Sequence, residues 1–266
     1  MAIKLIALDL DGTLLNSEKK ISPRTMAALK AAMARGVHVT IATGRMLDGA
    51  ACFAREFGAN APIVCCNGGC VQEMDAEEPL FARYFPQDVA ERLLAFCYAR
   101  DWYVNWYVGR ETLAPFFDEK YFFAYRTVKG FHAHPVGGDY QSHTKNVIQC
   151  VVREPGGQVR PMVDAILERF AGEVFAQQNT GTSADLTPPG VTKALGVSFL
   201  MERYGLTPEN VMACGDGDND VPMLRLAGTA VVPENGIPEA KELATYHAPT
   251  NDEDGIAQAI EELVLK

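Results

Sequence analysis

The chain has 266 residues, of which 48% are hydrophobic and 22% charged, and a formal net charge of −10. These values exclude a disordered or fibrous chain and allow one large domain or two smaller ones. No basic run of the kind that binds nucleic acid is present, and no apolar stretch is long enough to span a membrane.

Short apolar runs alternate with helical patterns. Ile3–Leu8, Val37–Ala42, Pro62–Cys66, Val211–Cys214 and Thr229–Val232 read as buried strands. Ser22–Arg35 reads as a helix with Ser22 as N-cap, Pro23 at the first helical position and Gly36 just past the end. Leu47–Phe57, Thr192–Tyr204, Val221–Leu226, Pro238–Ala244 and Ile256–Val264 read as further helices. This alternation predicts an α/β fold, a Rossmann-like, mostly parallel sheet covered on both faces.

The pattern changes between Tyr84 and Thr187. Asp88 followed by Glu91 suggests a capping box opening a helix to about Arg100. Trp102–Val108, Asn146–Val152 and Glu173–Gln178 look like strands of a more mixed, half-exposed sheet, and Val159–Phe170 looks helical. The span 109–140 has no clear period. Pro188-Pro189-Gly190 marks the return to the first pattern. The expectation is a core of 1–83 plus 188–266 with an inserted α+β domain at 84–187.

Most predicted core strands run directly into a polar cluster. These are Asp9-Leu10-Asp11-Gly12-Thr13, Thr43-Gly44-Arg45, Asn67-Gly68-Gly69 and Gly215-Asp216-Gly217-Asp218-Asn219-Asp220. Asp, Asn and Gly are ordinary turn residues, but that explains poorly so many carboxylates at one sheet edge, where they repel without a cation. Asp9 and Asp11, two apart, share a face if the strand persists. Beside Asp216 they make an all-oxygen site suited to Mg²⁺, which clamps phosphate oxygens. One carboxylate then serves as nucleophile and a second as proton shuttle. Between Thr207 and Lys266, twelve acidic residues stand against three basic ones, and the same segment fails as an EF-hand because Val221 and Ala227 replace its Gly and Glu.

Asp9-Leu10-Asp11-Gly12-Thr13-Leu14-Leu15, Thr43-Gly44-Arg45, Lys193, and Gly215-Asp216 with Asn219-Asp220 and Met223 resemble, in order and spacing, motifs I to IV of the haloacid dehalogenase-like (HAD) hydrolases. The insertion between motifs II and III is similar to the C2-type cap of the Cof-like, subclass IIB sugar phosphatases, as is Asn251-Asp252-Glu253-Asp254-Gly255-Ile256. The resemblance implies a HAD fold with a substrate-specificity cap. Asp9 would attack phosphorus to form an aspartyl-phosphate, and Asp11 would protonate the leaving oxygen and then activate water. Asp9, the Asp11 backbone carbonyl and Asp216 would hold Mg²⁺, with Asp220 supporting that shell. Thr43, Gly44, Lys193 and Asn219 would bind phosphate. The substrate would be a small phosphorylated metabolite, probed by release of free phosphate. A phosphosugar mutase or a phosphometabolite-binding protein on the same scaffold are the alternatives. Val231–Gly236 departs from the family's usual loop, with Pro233 and Glu234 altering its shape and charge while Asn235 falls at the family's Asn.

Arg45, Asn67 and Gly68 are candidate substrate contacts, Arg45 alternatively pairing with the following helix and the other two shaping a site-facing turn. Asp218 reads as solvated and Asp185 as a surface strand residue. His132 and His134 alternate but read as surface residues rather than metal ligands. Trp102, Tyr103, Trp106 and Tyr107 read as packing of the inserted domain before stacking on a sugar or base. Seven cysteines, odd in number and mostly in apolar stretches, fit reduced, buried thiols and predict a cytoplasmic protein.

Overall fold

The computed structural model describes residues 2–121 and 133–266. The chain divides into two compact units, Met1–Ala76 with Thr192–Lys266, and Glu77–Val191. The divisions fall several residues outside those expected at 83/84 and 187/188.

The first unit begins with β1 (Leu5–Leu8), α1 (Pro23–Ala34), β2 (His38–Ile41), α2 (Leu47–Phe57), β3 (Ile63–Cys65) and β4 (Cys70–Gln72). The second holds β5 (Phe81–Ala82), α3 (Gln87–Tyr98), β6 (Tyr103–Val108), β7 (Glu111–Ala114), β8 (His134–Pro135), β9 (Val147–Arg153), α4 (Arg160–Arg169), β10 (Phe175–Thr180) and β11 (Ser183–Thr187). The chain returns to the first through α5 (Lys193–Tyr204), β12 (Val211–Cys214), α6 (Val221–Leu226), β13 (Thr229–Pro233), α7 (Pro238–Lys241), β14 (Tyr246–Ala248) and α8 (Gly255–Leu263).

The main sheet of the first unit has the order β14-β13-β12-β1-β2, and every pairing in it is parallel. β1 is fully buried, as its unbroken apolar sequence requires of a central parallel strand. Chain order runs outward from β1 to β2 on one side and through β12, β13 and β14 on the other. The carboxyl ends of β1 and β12 therefore form the switch point where such sheets bind ligands. Asp9 and Asp216 follow those two strand ends, and Asp9 N–H donates to Cys214 O at 2.9 Å. The predicted third core strand, β3, is buried; it pairs antiparallel with β4 and meets the parallel sheet through a parallel bridge between Ala42 and Val64. Helix α1 starts as expected, the Ser22 hydroxyl accepting from Thr25 N–H at 3.0 Å. Helix α3 does not: it starts after Pro86, and Asp88 lies in its first turn without capping it.

The second unit contains a six-stranded sheet of order β10-β11-β9-β6-β7-β8, antiparallel except between β7 and β8. One face carries Val104, Trp106, Cys150, Val152, Ala184 and Leu186 into a core with Leu93, Leu94, Val163 and Ile166 from α3 and α4. Trp106 is thus a core residue, its indole N–H satisfied by His143 O at 2.9 Å. Of the strands expected to be half-exposed, β10 is, with Phe175 46% exposed, whereas β6 and β9 are buried along almost their whole length on both faces, as is β11. Asp185, expected at the surface, is correspondingly buried on β11. His134 is exposed on β8, and His132 lies outside the described residues.

Candidate active site

The strand does not persist past Leu8, so Asp9 and Asp11 do not share a strand face. The chain turns at once, Leu14 and Leu15 donating back to the carbonyls of Asp9 and Leu10. Asp9 stays buried, whereas the Asp11 side chain is 41% exposed. Gly12 makes this turn possible: its φ is +91°, and a Cβ there would stand 2.4 Å from Asp216 Oδ2. Thr13 then donates its hydroxyl to Asp216 Oδ1 at 2.6 Å, which fixes that carboxylate.

Lys193, the first residue of α5, is wholly buried. Its ammonium reaches Asp9 Oδ1 at 2.5 Å and Asp220 Oδ1 at 2.6 Å. The second oxygen of Asp220 accepts from the backbone N–H groups of Asp216 and Gly217, both at 2.9 Å. A cation at a helix start opposes the helix dipole, so its position is set by the carboxylates around it. Carboxylate oxygens of Asp9, Asp216 and Asp220 lie within 4.8 Å of one another. One ammonium cannot balance three such charges. Burial pushes the Asp9 carboxyl well above its usual range against the pull of Lys193, and Asp220 and Asp216 push it further. Burial likewise lifts Asp216 to about 6 despite the Thr13 hydrogen bond. The same two carboxylates, Asp9 and Asp220, raise Lys193 and outweigh its burial, so the ammonium stays charged. An all-oxygen donor set with unbalanced buried charge fits a hard divalent cation.

Asp11 is engaged elsewhere. Arg45 grips it with two parallel bonds, Nε to Oδ2 at 2.9 Å and Nη2 to Oδ1 at 2.8 Å, and Lys19 adds a third at 2.9 Å. Burial would raise the Asp11 carboxyl, but Arg45 and Lys19 outweigh it and hold it below the ordinary range. Arg45 itself is buried, its guanidinium 5.4 Å from the Phe53 ring centroid. Sequence reasoning put Arg45 at substrate or on the following helix; nothing in the spacing of residues 11 and 45 signals their pairing.

Thr43 and Gly44 lie just beyond β2. Thr43 is buried; its hydroxyl accepts from Arg45 N–H at 3.2 Å, and its carbonyl accepts from Asn67 N–H at 3.0 Å. Cys66, Asn67 and Gly68 all take positive φ, and the turn is held by Cys66 N–H on Arg45 O at 2.8 Å. Asn67 Oδ1 accepts from Asn219 Nδ2 at 3.1 Å, which links this turn to the loop after β12. Gly68 packs against the start of α5: a Cβ there would lie 2.0 Å from Thr192 O. Its geometry therefore sets the position of Lys193. Asp218 is exposed. Asn235 Nδ2 donates to Gly12 O at 2.7 Å, while its Oδ1 accepts from Asn251 N–H at 3.0 Å. The sequence marked Asn235 only by position; its partners 223 and 16 residues away were not readable.

A family profile described as haloacid dehalogenase-like hydrolase matches residues 6–260. The chain is 29% identical to a 5-amino-6-(5-phospho-D-ribitylamino)uracil phosphatase of Bacillus subtilis, over 97% of this chain and 96% of the relative. Among solved structures, a haloacid dehalogenase-like hydrolase from Bacteroides thetaiotaomicron superposes with a TM-score of 0.88 at 31% identity, covering 97% of this chain and 98% of that one. A HAD subclass IIB sugar phosphatase superposes with a TM-score of 0.84 at 25% identity, covering 97% and 98%.

Proposed function

The chain belongs to the haloacid dehalogenase-like hydrolases and is a phosphatase of that family, and we propose that it is a Mg²⁺-dependent, cytoplasmic enzyme acting on a sugar phosphate or a similarly polyhydroxylated phosphomonoester through an aspartyl-phosphate. The clustering of the Asp9, Asp216 and Asp220 carboxylates within 4.8 Å of one another, with a single buried ammonium set on Asp9 and Asp220, carries this reading. The substrates named for the relatives, a sugar phosphate class and a phosphoribityl compound, support its substrate side.

In this reading Asp9 Oδ attacks phosphorus and the substrate's ester oxygen leaves, taking a proton from Asp11. Water then attacks the aspartyl-phosphate, giving its proton to Asp11 and releasing phosphate. Lys193 fixes the attacking carboxylate and meets the phosphoryl charge, while Thr43, Gly44 and Asn219 supply polar groups around the transferring group. Asp9 and Asp216 would hold Mg²⁺, with the Asp11 backbone carbonyl; when bound, the ion neutralises charge on the phosphoryl oxygens. Asp220 already spends both oxygens on Lys193 and two amides, and so supports the site from behind. The Arg45–Lys19 grip holds Asp11 in its ionised, base-competent form. For the first step Asp11 must loosen from Arg45 as it takes up a proton. The unit Glu77–Val191 is assigned the role of specificity cap.

The test is phosphate release from sugar phosphates and nucleotides, with Mg²⁺ or excess chelator, for wild type and Asp9→Ala. Release should require both the metal and Asp9. Undiminished turnover by folded Asp9→Ala would overturn the nucleophile assignment.

A further inference from the structure

The turn between β3 and β4 has a backbone that few sequences adopt. Cys66, Asn67 and Gly68 take φ of +51°, +53° and +88° in succession. Left-handed backbone is visited by single residues rather than by runs. Where it persists, the surrounding structure over-determines it, and such strain gathers at functional sites. Here three contacts hold the turn. Cys66 N–H donates to Arg45 O at 2.8 Å, and Asn67 N–H donates to Thr43 O at 3.0 Å. Gly68 lies against Thr192 O at the start of α5. A fourth contact is made by a side chain: Asn67 Oδ1 accepts from Asn219 Nδ2 at 3.1 Å, across 152 residues of sequence.

This last bond decides how Asn219 presents its carboxamide. An anion is met by the N–H edge of an amide and repelled by its oxygen. The two edges have nearly the same shape, so packing does not choose between them; the hydrogen-bond partner does. By accepting from Nδ2, Asn67 fixes the nitrogen edge, and the second N–H of that nitrogen is left pointing away from Asn67. Asn219 Oδ1 is turned to the backbone of its own loop, 3.4 Å from where a Cβ on Gly217 would stand. Asn67 itself is 4% exposed and its side-chain oxygen is already engaged, which suits a supporting role better than contact with substrate.

We propose that the Asn67 side chain is a positioning residue for phosphoryl transfer: its oxygen orients the Asn219 carboxamide so that an N–H of Asn219 meets the transferring phosphoryl group. The inference rests on the phosphatase reading above, which places Asn219 at that group, and it gives Asn67 a role other than binding the leaving group.

The test is a double-mutant cycle. Asn67→Gly suits the left-handed backbone, keeps the N–H on Thr43 O and removes only the side-chain acceptor. It is compared with Asn219→Ala and with the double variant, in the full chain with Mg²⁺. The readouts are kcat/KM for p-nitrophenyl phosphate and the Ki of inorganic phosphate as product inhibitor. Alone, Asn67→Gly should lower kcat/KM about 10-fold and raise the phosphate Ki several-fold, the scale of one lost hydrogen bond. In the Asn219→Ala background it should change either by less than about twofold, because the group it orients is gone. Equal losses in the two backgrounds show that Asn67 acts on the turn or on substrate directly, and overturn the proposal. So do undiminished kcat/KM and unchanged Ki in Asn67→Gly. With an active wild type these results remove the proposal alone. A wild type that releases no phosphate from any ester overturns the phosphatase reading and the proposal with it.

Discussion

At the scale of single residues, Lys193 is where fold and chemistry meet. Its ammonium is wholly buried between Asp9 and Asp220, and removing one partner of a buried ion pair commonly costs about 3–5 kcal/mol. Its position depends on Gly68, whose backbone touches Thr192 and whose φ is +88°. In Gly68→Ala the new methyl must displace Thr192 O and with it the start of α5. The variant should lose more than the roughly 1–2 kcal/mol that left-handed backbone costs an ordinary residue, and kcat should fall as Lys193 shifts. Gly36 is the control: its φ is +82°, but nothing lies within 4 Å of a Cβ there. Gly36→Ala should show the backbone penalty alone with kcat unchanged. Thermal melts paired with steady-state kinetics separate the two effects, and equal behaviour of the two variants would remove Gly68 from the support of Lys193.

At the scale of elements, the site is assembled by loops that tie strand ends together. Asn235, after β13, joins the turn after β1 through Gly12 O and the segment before α8 through Asn251 N–H. Asn251 in turn donates to Leu15 O at 2.8 Å. Asn235→Ala breaks two bonds worth about 1 kcal/mol each, so Tm should drop by only about 4–8 °C. The turn that aims Asp9 and Asp11 loses a support, and kcat should fall about 10-fold with KM little changed; full kcat would show that the loop keeps its place without Asn235, through Gly236 N–H on Pro233 O and Ile237 N–H on Asp216 O. These ties also explain what the sequence could and could not say. Helix α2 was legible to the residue because its apolar face and Gly58 terminus are local signals. The placing of Asp9, Thr43 and Asp216 together at one sheet edge was legible because each closely follows the end of a core strand. Two things were not: the Arg45–Asp11 pair, and the buried Asp185. Both depend on which elements become neighbours, and β11 takes an interior place in its sheet between β10 and β9. β3 was legible as a buried strand but not in its pairing, since its apolar run suits a parallel or an antiparallel neighbour equally.

For the molecule as a whole, the acidic surplus makes stability depend on pH and on the cation together. In the metal-free chain, burial lifts Asp216 to about 6 and raises Asp9 well above its usual value. Unfolded, both ionise near about pH 3.9. Between those values the folded protein retains protons that the unfolded chain has released. Stability of the metal-free protein should therefore fall as pH rises from about 4 through at least about 6. Mg²⁺ competes for the same oxygens, so its effect should run the other way. At about pH 7.5, Mg²⁺ at roughly 100 times its Kd should add about 2.7 kcal/mol, a rise in Tm of about 5–11 °C. At about pH 5, below the Asp216 midpoint, the rise should be small, because protons already hold the site. Asp216→Asn relieves the repulsion without supplying a charged ligand. It should raise the metal-free Tm at about pH 7.5 and abolish most of the Mg²⁺ response. Melting curves of wild type and variant, with Mg²⁺ and with chelator at both pH values, decide the matter: a Mg²⁺ response equal at the two pH values, or intact in Asp216→Asn, would place the cation somewhere other than among these carboxylates.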